Sequence, residues 1–290
     1  MTVRENILEE VNHIPPLSES AEKLIQMMGD PNHDVQSVLN IVQTDSALTT
    51  KVLTVVNSAA FSLREPIISI ARAVSYLGDK KILNIALEFC VNDLFQKPLE
   101  GYDGKQGALW EHNLCVAISA KEVVRFAKKE ISPDIAYTGG ILHDMGKSIL
   151  SGYLKGKVAE CIAEINEGNV SDYLAAEEKI LDTNHCIVGS NMARAWGLPS
   201  PLPEIIEHHH HPAESDLEIR GIVYAVHLGD IIAMNVAADM GSDVLQYRLD
   251  GNYTEYFEIS PESMPKILLK VGEEYNKTKS LLLGERGTLK

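Results

Sequence analysis

Cysteine is scarce in this chain and never paired. Its four cysteines, Cys90, Cys115, Cys161 and Cys186, stand singly, with no CxxC among them. That pattern excludes a thiolate zinc knuckle and a disulfide frame, and it reads as small buried residues in a reducing cytosol. Basic blocks are missing as well. With 41 acidic against 26 basic residues and a formal charge of −15, there is no cluster of Lys and Arg to neutralise phosphates. Neither nucleic acid nor an anionic membrane surface is an expected partner. The most membrane-like stretch, Gly221 to Met240, carries His227, Asp230 and Asp239 and reads as a buried helix. The opening MTVRENILEE has no apolar signal core, so a soluble cytoplasmic protein is expected. Phosphate-cradling glycine loops and a GxSxG elbow are absent too, which argues against P-loop, dinucleotide-binding and serine-hydrolase chemistry.

Period-two alternation is nearly absent, and helical punctuation takes its place. Ser18 reads as an N-cap for a stripe at Leu17, Ala21, Leu24, Ile25 and Met28, stopped by Gly29 and Pro31. Asp34 opens a second helix (Val35, Val38, Leu39, Val42) and Asp45 a third (Leu48, Val52, Val55, Val56). Ser69 starts a fourth, closed by Gly78, and Asp79 caps a fifth carrying Ile82, Leu83, Ala86, Phe89 and Cys90. The expected fold class is all-α. The clearest seam is PLEGYDGKQG, Pro98 to Gly107. It separates an N-terminal helical region, 1–100, from a histidine-bearing region, 108–240, and a C-terminal extension, 241–290, follows. That extension reads as a loop with short strand character at Tyr253 to Ile259. A final amphipathic helix then carries Ile267, Leu268, Val271 and Tyr275 on one face.

What the sequence does have is a run of metal-ligand-type side chains on otherwise apolar helices: His112, His143, Asp144, His185, His209, His210 and Asp230. Imidazole and carboxylate together suit zinc, iron, manganese or nickel, and a set this large can hold two divalent transition-metal ions. Taken singly, His112 and His185 read more readily as satisfied core histidines. Within His208 to His211, two rings are expected inward and two in solvent. Asp230 sits in VHLGDIIAM, where a buried carboxylate needs a partner; His227, three residues earlier, is either a supporting or a core residue. Thr183 reads as the N-cap of the helix that begins at His185. Gly139 and Gly140 precede His143 by one turn and suggest a close approach there. Lys147, four residues after His143, would share its face and meet a phosphate oxygen. If these residues converge, the default chemistry is metal-activated water attacking a phosphate ester.

The chain also resembles the HDOD family, relatives of the HD and HD-GYP metal-dependent phosphohydrolases. The resemblance rests on IPPLSESAEKLIQMMGDP, TDSALTTKVLTVVNSAAF and IARAVSYLG in the first half. In the second half it rests on LWEHN, GGILHDMGK, His185 with Gly189, WGLP, and His209 to Pro212. It implies an N-terminal helical subdomain packed on an HD-like helical bundle. His112 fits the first histidine of the HD pattern, and His143 with Asp144 the HD pair. His185 fits the middle histidine, His209 and His210 the paired histidines, Asp230 the terminal aspartate, and Lys147 the HDxGK lysine. Many HDOD proteins have lost part of this ligand set and act as output or regulatory modules, whereas this chain keeps a fuller one. No G-Y-P follows the paired histidines, and Ala108 stands where some trinuclear relatives carry glutamate. Three functions are therefore in play. One is a signalling module with protein partners and a retained two-ion centre. Another is a phosphohydrolase for a phosphate-containing small molecule, with Asp144 and Lys147 as its catalytic pair. The third is a scaffold that binds partners through the N-terminal helices.

Overall fold

Short polar side chains at the expected positions start the first helices. Ser18 Oγ accepts the Ala21 N–H, Asp34 that of Gln36, Asp45 those of Ala47 and Leu48, and Ser69 that of Arg72. Each satisfies a donor that the first helical turn leaves without a partner. The computed structural model describes residues 2–14, 17–28, 33–58, 61, 63, 65–236 and 247–283. Its helices are α1 (Val3–Asn12), α2 (Glu19–Met28), α3 (Val35–Thr44), α4 (Ser46–Val56) and α5 (Ile70–Leu77). They continue with α6 (Asp79–Phe95), α7 (Ala108–Val123), α8 (Pro133–Leu142), α9 (Lys147–Leu154) and α10 (Val158–Asn166). The last five are α11 (Tyr173–Leu181), α12 (His185–Ala195), α13 (Leu202–His208), α14 (Arg220–Val236) and α15 (Met264–Leu283). The fold is all-α.

Some local expectations need correcting. Asp79 is the first residue of α6 rather than its cap, and Val35 is 44% exposed, which leaves Val38 and Val42 as the buried stripe of α3. Tyr253 to Ile259 is not a strand. A 3-10 turn spans Gly251–Glu255, and the extended residues after it make one isolated bridge, Ala127 to Phe257. Gly29, Pro31, the Met28 side chain, Ala59, Ala60, Asp239 and Gly241 lie outside the described residues.

The chain divides into two compact units, Leu17–Asp93 with Gly272–Lys290, and Met1–Pro16 with Leu94–Val271. In the first, α3 packs on α2, α4 and α5 around Leu24, Ile25, Val38, Val42, Val52 and Val55. The second carries all seven ligand-type residues. There α7 and α14 lie against each other, α8 packs on both, and α12 packs on α13. The first helix in the chain also belongs here: α1 packs on α9 and α12, and Tyr153 donates to Glu10 Oε2 at 2.8 Å. The Pro98–Gly107 segment is packed into this unit rather than spanning open space. Gly101 and Tyr102 are buried, and the Gly101 N–H donates to Ser151 Oγ at 3.0 Å.

The pair Gly139–Gly140 has an asymmetric purpose. A Cβ on Gly140 would stand 2.6 Å from Ala117 Cα, whereas one on Gly139 would meet only side-chain tips of Ile205 and Val226 at 3.0–3.2 Å. Backbone of α7 cannot step aside without moving α14 as well. Gly140→Ala is therefore expected to lower stability by about 1–3 kcal/mol despite its better helix propensity, and Gly139→Ala by clearly less. Urea unfolding of the two variants checks this; equal losses would contradict the assigned contact.

Candidate metal centre

Five elements of one unit deliver the seven residues to one place. His112 projects from the middle of α7 and Asp230 from α14. His143 and Asp144 occupy the turn that follows α8, and His185 is the first residue of α12. His209 and His210 lie in the bend where α13 ends. Glycine makes the decisive approach possible. Gly146 closes the α8–α9 turn, and a Cβ there would collide with the His185 carbonyl. The turn can thus press against the start of α12 and set Asp144 between histidines from both sides.

Asp144 has its two oxygens turned to different partners. Oδ2 lies 3.4 Å from His143 Nε2 and 3.5 Å from His112 Nε2; Oδ1 lies 3.3 Å from His185 Nε2 and 3.6 Å from His209 Nε2. Asp230 Oδ1 is 3.0 Å from His112 Nε2 and 3.9 Å from His143 Nε2. His210 Nε2 is 3.1 Å from His185 Nε2, and its Nδ1 is 3.9 Å from Asp230 Oδ2. All seven side chains are buried. Lys147 departs from expectation. His143 to Gly146 is a turn, so Lys147 opens α9 instead of sharing a helical face with His143. Its ammonium reaches Asp144 Oδ2 at 2.8 Å and lies over the rings of Tyr247 and Tyr102 at 5.2 and 5.5 Å.

These contacts suit an ion better than they suit one another. His143 Nε2, Asp144 Oδ1 and Asp230 Oδ1 are buried without an aligned hydrogen bond, although ring or carboxylate atoms stand close by. Ligand atoms held about 2.0–2.2 Å from one ion stand roughly 2.8–3.6 Å apart, for octahedral or tetrahedral corners. Most of the spacings above fall in that range. The far sides of three rings are fixed as ligands require. His143 Nδ1 donates to Gly140 O at 2.9 Å, His209 Nδ1 to Ile206 O at 2.8 Å, and His185 Nδ1 to the Glu177 carboxylate at 2.8 Å. Each arrangement leaves Nε2 with its lone pair inward. Leaving buried acceptors unpaired costs free energy that a cation would recover.

The remaining candidates fall outside. His227 is satisfied by backbone, donating from Nδ1 to His209 O at 2.8 Å and accepting from the Asp250 N–H at 3.0 Å. His211 is exposed and His208 half-buried. Asn184, not Thr183, caps α12 by accepting the Ile187 N–H. Two further residues adjoin the set. Cys186 Sγ lies 3.7 Å from His209 Nδ1, and burial holds the thiol well above its ordinary pKa, hence neutral. Glu177 is fully buried. It shares the apolar face of α11 with Tyr173, Leu174 and Leu181, and that spacing was the signal that could have found it.

The electrostatics follow from burial set against charge. Burial pushes His209 down to about 4; it also pushes His210 well below its ordinary value, helped by His209 and His185 alongside. Burial opposes ionisation of Asp144, yet His143 and Lys147 hold its carboxyl well below the usual range. Asp230, likewise buried, is brought to about 2 by His112. His143 goes the other way: the Asp144 and Asp230 carboxylates outweigh its burial and raise it.

The HDOD domain family profile matches residues 14–212. Among solved structures, the chain is similar to a candidate signal transduction protein from Marinobacter aquaeolei. Identity is 18% and TM-score 0.75, over 95% of this chain and 60% of that one. A candidate metal-dependent phosphohydrolase from Shewanella amazonensis is similar at 18% identity with a TM-score of 0.58, over 97% of this chain and 100% of that one. Such likeness shows the shared fold. An uncharacterised protein of Treponema pallidum is 20% identical over 221 residues, 76% of this chain, which spans 42% of the length of that relative.

A pH dependence follows for protein stripped of metal. His209, His210 and His227 have folded pKa values below their unfolded ones, so the unfolded chain binds more protons once the pH drops under about 6.5. Stability is complete above that pH and declines as the pH falls toward about 4, by roughly 3 kcal/mol for His209 alone. The raised His143 offsets part of this loss. Urea midpoints are expected to hold from pH 7.5 to about 6.5 and to fall from there to pH 5, and a flat or rising profile below about pH 6.5 would contradict the neutral His209 and His210 rings.

Proposed function

The chain belongs to the HDOD domain family, and from that premise we propose that it is a regulatory protein of bacterial signal transduction built around a two-ion His/Asp centre. The observation that carries this reading is Asp144, whose two oxygens face separate histidine pairs. On one side His112, His143 and Asp230 would hold one divalent transition-metal ion; on the other, His185, His209 and His210 would hold a second. Imidazole and carboxylate donors are compatible with iron, manganese, zinc or nickel. When bound, such ions polarise a phosphate ester and make a coordinated water acidic.

Regulation is favoured over turnover by Lys147. As the residue expected to steady a phosphate, it is instead buried and spends its charge on Asp144 at 2.8 Å. The similarly folded Marinobacter protein, described as a candidate in signal transduction, points the same way. The partners proposed are other signalling proteins, with a phosphate-containing small molecule as a ligand sensed at the centre. The fuller ligand set supports a second reading, a metal-dependent phosphohydrolase in which Asp144 holds the ions and Lys147 is released to the substrate.

A turnover screen decides between them. Protein reconstituted separately with manganese, iron, zinc and nickel is offered nucleotides, cyclic dinucleotides and a chromogenic phosphodiester. The regulatory reading predicts no turnover above that of Asp144→Ala with any of them. Hydrolysis that Asp144→Ala abolishes would replace it with the enzymatic reading.

A further inference from the structure

Outside the ligand set, one ionisable side chain of this unit is fully buried and has every oxygen engaged toward a single ligand residue. Glu177, in α11, accepts from His185 Nδ1 with Oε2 at 2.8 Å and Oε1 at 3.0 Å. The His185 backbone N–H donates to the same Oε2 at 2.8 Å, and Tyr102 Oη donates to Oε1 at 2.8 Å. Tyr102 comes from the Pro98–Gly107 segment. That segment is pinned in turn by the Gly101 N–H to Ser151 Oγ and by Tyr173 Oη donating to the Gly101 carbonyl at 3.3 Å. The chain of contacts therefore runs from the loop through Tyr102 and Glu177 to His185, whose Nε2 faces Asp144 Oδ1.

We propose that Glu177 is a positioning residue of the metal centre. It fixes His185 as the Nδ1–H tautomer with its Nε2 lone pair turned inward, and Tyr102 holds Glu177 in place. This rests on the two-ion reading above. The geometry argues for it over a purely structural role. A helix N-terminus needs one acceptor for the His185 backbone N–H, and Asn184 already caps the Ile187 N–H in the same turn. Both carboxylate oxygens also face the imidazole Nδ1, and a negative charge against the far nitrogen makes the near one a stronger donor to a cation. A buried carboxylate with three donors and no cation of its own is costly unless its charge is used. The rings of His143 and His209 are held by neutral backbone carbonyls instead, so the charge is delivered to one ligand of the set and not to all.

Two measurements on the full chain test this independently of each other. The first is histidine-selective 15N NMR of the metal-free protein. It is expected to show His185 as the Nδ1–H tautomer in the wild type, and a mixed or Nε2–H form in Glu177→Ala that retains the far-ultraviolet helix signal. Unchanged His185 shifts in that variant would overturn the proposal whether or not the protein binds metal. The second is cobalt(II) titration followed by visible absorption, comparing the wild type with the isosteric Glu177→Gln. The expected result is affinity weakened about tenfold or more, with a shifted ligand-field band; equal affinity and an identical band would overturn it. Wild-type protein that takes up no cobalt while His185 keeps the stated tautomer would remove the metal reading and leave the positioning of His185 by Glu177 standing.

Discussion

A carboxylate buried among imidazoles from several elements governs this structure. Asp144 is withdrawn from water, which by itself disfavours its charge, yet its surroundings keep it ionised. Lys147 neutralises one oxygen, while the other faces two ring nitrogens whose opposite sides already donate elsewhere. Asp230 and Glu177 add two more buried carboxylates, and one buried ammonium does not balance three. Two of the glycines exist to let this happen: Gly140 lets α8 lie on α7, and Gly146 lets the turn carrying Asp144 reach α12. The packing of the bundle and the charge of its centre are thus one constraint. A divalent cation resolves it most simply, because the neutral His209 and His210 rings, the ionised carboxylates and the orphaned acceptors all favour the same occupant.

Much of the fold was legible in local chemistry. Ser18, Asp34, Asp45 and Ser69 announced helix starts because a short polar side chain can cap only where the backbone leaves donors free. The convergence of His112, His143, Asp144, His185, His209, His210 and Asp230 was legible only as a conjunction, since any one of them on an apolar face has an ordinary core explanation. His227 is the example, satisfied wholly by backbone. Reading failed where tertiary context overrides spacing. Lys147 follows His143 by one helical repeat, but the helix has already ended at Leu142 and a turn separates the two. The Pro98–Gly107 segment has the composition of a spacer, yet its small residues permit close packing and bring Tyr102 inside. Glu177 was hidden in AAEEKI, where charge suggests solvent and only the Tyr173, Leu174, Leu181 face betrays burial.

Membership of the HDOD family sets the frame within which this centre acquires meaning. A shared fold does not fix activity, which must be argued from the site itself. The ligand set is fuller than a purely vestigial site would need. The lysine that would serve a phosphate is locked to the aspartate that would hold the ions. In the regulatory reading we propose, gaining or losing a cation would change the charge among five converging elements.

Metal analysis of protein purified without chelator tests the central claim most directly. Inductively coupled plasma mass spectrometry is predicted to find about two divalent transition-metal ions per chain, with a marked loss in Asp144→Ala. Protein that is folded and free of transition metal, and that takes up none on dialysis against iron, manganese, zinc or nickel, would contradict it.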